Sequence, residues 1–121
     1  MLFVGGAMAM VIRAELFEPG SQIVSPEFYN QMVTNHGLIM VFGVIMPAFV
    51  GLANWMIPMQ IGAPDMALPR LNNLSFWILP AAFGVLLSTF LMEGGAPNFG
   101  WTFYAPLSTE YAPPTVTFFI F

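Results

Sequence analysis

Cysteine is absent from the 121 residues, lysine is absent, and histidine occurs once. Without cysteine there can be no disulfide framework, no iron–sulfur cluster and no thiolate metal site. Two arginines stand against six acidic residues, so there is no basic face for a nucleic acid. Charged residues make up 7% of the chain, where average globular domains carry about 25%. So few charges cannot cover the surface of a small water-soluble domain. What is abundant is apolar: 58% of the residues are hydrophobic, with 13 Phe, 10 Met and 3 Trp. That content also excludes a disordered tail. The composition predicts an all-α, polytopic transmembrane helix bundle, and the length allows about three to four spans of ~20 residues.

Residues 1–12 are apolar without interruption, then Arg13 and Glu15 follow. A run of about 12 is too short to span a bilayer, and it lacks the basic start and cleavage site of a signal peptide. The apolar run that begins at residue 115 also stops short, at 121. Both ends therefore predict a stretch of a longer bundle, with partial spans over 1–16 and 115–121. Glu18-Pro19-Gly20 is a turn signal. Ser25, Pro26 and Glu27 form a helix start, and the second span is expected over 26–58, kinked one turn before Pro47. Two prolines, a glycine and two charges make 60–70 a loop, and the third span is expected over 73–92, with Pro80 near its start. Residues 93–114 are rich in Gly, Pro and aromatics and lack helical periodicity. Arg70 lies in the second short connection, whereas 18–27 and 93–114 have no basic residue, which predicts that the Arg70 end faces inward. Trp55 and Trp77 near that end, and Tyr29, Trp101 and Tyr104 near the other, are spaced like interfacial belts.

No G-x-S-x-G, phosphate loop or HExxH is present, so the chemistry rests on a few isolated polar residues. His36 lies inside the second span, where an imidazole is costly unless it is packed with satisfied nitrogens or binds something. One histidine can fill one axial position of a heme iron but cannot alone build a zinc or copper site. Gly37 and Gly43 beside it could admit a planar ligand or simply a neighbouring helix. Arg13 is expected at roughly the depth of His36 or slightly shallower, either snorkelling to the interface or turned toward a cofactor edge. Asn54 lies roughly 27 Å further along the same span, on the His36 face of a uniform helix. With Asp65 and Asn72 it could line a water-filled proton path, or these could be ordinary loop and helix-start residues. Glu15, Glu18, Gly20 and Gln22 offer hard oxygen donors suited to calcium, or form a plain acidic loop.

The run Thr34-Asn35-His36-Gly37-Leu38-Ile39-Met40, followed by Met46-Pro47, resembles the second helix of subunit I of the heme–copper oxidases. So does Asn54-Trp55 with the 17 residues from Ile61 to Trp77 (IGAPDMALPRLNNLSFW). Arg13-Ala14-Glu15-Leu16 with Pro19-Gly20, and Gly100-Trp101 through Leu107, match as well, so the likeness runs from end to end. It resembles the early part of the bacterial, cytochrome c–oxidising form. Between Pro47 and Asn54 the chain is one residue shorter than the common form.

The resemblance implies an inner (plasma) membrane subunit working with subunits II and III and with cytochrome c. His36 would ligate a low-spin heme, heme A in close relatives. Arg13 would bond that heme's formyl group, with Tyr29, Met40, Gly100 and Trp101 around it. Asp65, Asn54 and Asn72 would form the proton-uptake path, and Glu15, Glu18, Gly20 and Gln22 a calcium or sodium site. Copper and a second heme would be bound by parts of the subunit not seen here. A quinol oxidase of the same superfamily is the nearest alternative, and a non-heme polytopic proton transporter the more distant one.

Overall fold

The computed structural model describes residues 1–111. Four α-helices follow in order: α1 (Leu2–Glu15), α2 (Pro26–Met40), α3 (Met46–Ile61) and α4 (Pro69–Ser88). A π-helical turn (Val41–Ile45) joins α2 to α3, and a 3-10 turn (Thr89–Leu91) finishes α4. No strand occurs among the described residues. The span start expected at 115–121 lies outside them.

α2 begins as its sequence dictates. Ser25 is extended (φ −67°, ψ 152°), its Oγ accepts the Phe28 N–H at 3.3 Å, and Pro26 takes the first helical position. The kink expected at Pro47 has a definite form. Proline lacks an N–H and crowds the carbonyl one turn back, and the π turn sits directly before it. α2, the π turn and α3 thus run as one 36-residue rod, Pro26–Ile61. A π turn consumes one more residue than an α turn, so everything beyond it is rotated by about 100°. This corrects the expectation, drawn on a uniform helix, that Asn54 shares a face with His36.

Two boundaries also move. α3 continues through Pro58 to Ile61 and ends where Gly62 turns left-handed at φ 72°, the usual job of glycine after a helix. α4 starts at Pro69, four residues before the expected Asn73, because proline suits a first helical position. Arg70 therefore belongs to the first turn of α4 rather than to the loop, and Pro80 lies mid-helix.

The small core gathers Met8 from α1, Met32, Leu38 and Ile39 from α2, and Phe83 and Leu86 from α4. Glycines set how closely the helices approach. A Cβ on Gly5 would lie 2.7 Å from Met40 Sδ, and one on Gly43 would lie 2.9 Å from Phe83 Cζ. Small residues at such crossings are how membrane helices pack without a hydrophobic drive. The rod Pro26–Ile61 and the 23-residue Pro69–Leu91 are long and apolar enough to cross a bilayer. Only 11% and 17% of their most apolar stretches are buried, which fits faces turned to lipid or to other helices and not the core of a water-soluble domain.

Candidate functional site

His36 is half-buried on α2, and its Nδ1 lies 2.8 Å from the Gly5 carbonyl oxygen of α1. A carbonyl only accepts, so Nδ1 carries the proton and Nε2 keeps its lone pair. A ligating histidine needs this arrangement: the other ring nitrogen tied to a carbonyl, fixing tautomer and ring orientation. Gly37, next in sequence, has open space where a Cβ would be. Tyr29 and Met40, two turns before and one turn after His36, are both half-buried. These features fit one axial position of a heme. Gly43 does not contribute, because the Phe83 ring already fills the space over it.

Arg13 is exposed in the last turn of α1. Since His36 meets α1 at Gly5, Arg13 stands eight residues, about 12 Å, further toward that helix end. The expectation of nearly equal depth is corrected accordingly.

A polar strip on α2 faces residues 95–100. Asn35, with no exposed surface, donates from Nδ2 to Gln31 O (2.8 Å) and to Pro97 O (3.1 Å). The Gly100 N–H donates to Thr34 Oγ1 at 3.1 Å. Ala96, Pro97 and Phe99 are buried. Gly100 is thereby held beside the His36 turn, whereas Trp101 is exposed. Two carbonyls at one end of the Asn35 amide fix which end is nitrogen. Oδ1 is left buried without a donor among the described residues, at a cost of about 1–3 kcal/mol. Asn35, Thr34 and Gly5 were not singled out from sequence. Asn35 carried a readable signal, a buried-type amide inside an apolar span beside the only histidine.

At the other end of the rod, Asn54 Nδ2 donates to Asn72 Oδ1 at 2.8 Å, and both residues are half-buried. The rotation introduced by the π turn and the early start of α4 accompany this meeting. Asp65 is exposed, with Oδ1 accepting the Met66 N–H at 2.7 Å.

In the α1–α2 connection the buried Glu15 carboxylate accepts three backbone N–H groups. Gln22 N donates to Oε1 at 2.8 Å, and Ile23 N and Val24 N donate to Oε2 at 2.8 and 3.0 Å. The Gln22 side-chain amide donates to Pro19 O at 3.0 Å. Glu18 and Gly20 are exposed. Glu15 thus pins the loop leading to the Ser25 cap, and a cation could use only its remaining lone pairs. No group of three or more His, Cys, Asp or Glu converges on a metal position among the described residues.

The family described as "Cytochrome C and Quinol oxidase polypeptide I" matches residues 1–121. Proteins named cytochrome c oxidase subunit 1 from Corynebacterium diphtheriae and Corynebacterium glutamicum are each 50% identical, over 114 and 112 residues. A probable cytochrome c oxidase subunit 1-alpha from Streptomyces avermitilis is 48% identical over 115 residues. These alignments cover 93–94% of this chain but 19–20% of each relative, so the chain spans about a fifth of their length. The chain belongs to the cytochrome c and quinol oxidase polypeptide I family.

Proposed function

We propose that this chain is part of the core subunit of a respiratory terminal oxidase, in which His36 supplies one axial ligand to a low-spin heme. The observation that carries the reading is the His36 Nδ1–Gly5 O bond, which leaves Nε2 free to ligate while fixing the ring. Such a heme carries one electron at a time by cycling its iron. Around it, Met40 packs against Gly5 on α1, and Gly100 is tethered beside the His36 turn by Thr34. Tyr29, Trp101 and Arg13 are assigned to this heme's surroundings, Arg13 by offering its fork of donors to a polar edge. The relatives' name, cytochrome c oxidase subunit 1, favours cytochrome c as electron donor, and the family description leaves quinol as the alternative; a subunit numbered 1 has neighbours, which we assign as subunits II and III. Oxygen reduction to water at a heme–copper centre, and the pumping coupled to it, belong to the whole subunit in its plasma membrane.

For protons, Asp65 is the receiving carboxylate, accessible at the loop surface. The Asn54–Asn72 pair follows as a polar step between α3 and α4. Asparagine amides both donate and accept, so they can order water molecules without trapping a proton. We assign Glu15, Gln22, Gly20 and Glu18 to an outer calcium or sodium site in the same spirit, with Glu15 serving first as loop anchor.

The test uses the full-length oxidase complex. His36→Ala is expected to abolish the low-spin heme bands while leaving those of the second heme, and unchanged bands would refute the assignment. Asp65→Asn is expected to lower turnover and proton translocation together. Normal pumping in that variant would remove Asp65 from the path.

A further inference from the structure

Apolar packing in a membrane bundle is non-directional, so it sets the spacing of helices better than their rotation about their own axes. Three consecutive residues of α2 make directional contacts that do set it. Thr34 and Asn35 bond residues Gly100 and Pro97 of one segment, and His36 bonds Gly5 of α1. At 100° per residue these three side chains point over about 200° of the helix circumference. A bracket of that width, closed on a helix on one side and a packed loop on the other, resists rotation of the turn in either sense. Residue 95 is pressed against the same turn, since a Cβ on Gly95 would lie 2.5 Å from Gln31 Nε2.

We propose that Asn35 is a positioning residue: by clamping residues 95–100 onto α2 it fixes the rotation of the His36 turn and hence the aim of Nε2. The inference rests on the heme-ligand reading of His36 and adds to it a residue that acts through its contacts to Gln31 and Pro97. Asn35 is fully enclosed, both its Nδ2 hydrogens are used, and its acceptor end is left unpaired. An alanine or leucine there would leave no unpaired acceptor, so what the amide adds is its two donor contacts. The second of these reaches 62 residues along the chain.

The experiment compares wild type, Asn35→Ala, Thr34→Val, the double variant of these two, and His36→Ala in the purified full-length oxidase. It reads heme content, the electron paramagnetic resonance g values of the low-spin heme, its midpoint potential, and amide exchange at Gly100. Asn35→Ala is expected to keep both hemes, shift the low-spin g values and potential, and speed Gly100 exchange about tenfold, the loss of one ordinary hydrogen bond. Thr34→Val is expected to move the same quantities the same way, by less than additive amounts when combined with Asn35→Ala. Should Asn35→Ala fail to assemble, Thr34→Val decides by the same readouts. Faster exchange with unchanged g values and potential would make the clamp merely structural and overturn the proposal, as would no change at all. If His36→Ala kept the low-spin signal, the heme reading would fall and take the proposal with it.

Discussion

Gly5 does two jobs at one position, and no side chain could replace it. Its carbonyl holds His36 Nδ1, and its missing Cβ leaves room for Met40 Sδ. Gly5→Ala is therefore expected to destabilise the fold by about 1–3 kcal/mol through overpacking, read as a lower thermal midpoint. Met40→Ala in the same chain should restore part of it by making room. Glu15 is the second residue whose use is specific: a carboxylate facing three N–H donors. Glu15→Gln turns one end of that group into a donor pointed at donors. Amide exchange at Gln22, Ile23 and Val24 should quicken, and unchanged exchange would show that the loop holds itself. His36, Glu15 and Asp65 were legible in sequence because ionisable residues are conspicuous in an apolar chain. The partners of His36 and Glu15 were not, since those are backbone atoms, which every residue has.

The helices were legible where local chemistry writes their ends. Ser25 and Pro26 open α2 as read, whereas the start of α4 at Pro69 was masked by the prolines around it. The π turn was the larger omission. Pro47 announces a disturbance but not whether the helix bends or takes an extra residue per turn, and that choice rotates α3. The consequence is measurable. Asn54 and Asn72 share one hydrogen bond, so the single variants Asn54→Ala and Asn72→Ala should each lower turnover, and their double variant should be no worse than the more severe single. Additive losses would mean that the two residues act separately. Across the other crossing, Gly43→Ala is expected to cost about 1–3 kcal/mol by pressing on Phe83. A smaller ring-site residue, Phe83→Leu, should partly rescue it.

The described residues form two long apolar rods with most of their surface uncovered, a short α1 packed beside the first rod, and a loop segment pinned against it. Four polar side chains sit where elements meet: His36 and Asn35 between α2 and its neighbours, Asn54 and Asn72 between α3 and α4. In the proposed reading of His36, joining two elements and serving chemistry coincide in one residue. The claim that matters most is that His36 Nε2 ligates a low-spin heme. The direct measurement is the electron paramagnetic resonance spectrum of the oxidised full-length oxidase, labelled with nitrogen-15 in histidine, compared with that of His36→Ala. A low-spin signal with histidine nitrogen coupling is expected, vanishing in the variant while the second heme remains. A low-spin signal of unchanged g values in His36→Ala would contradict it.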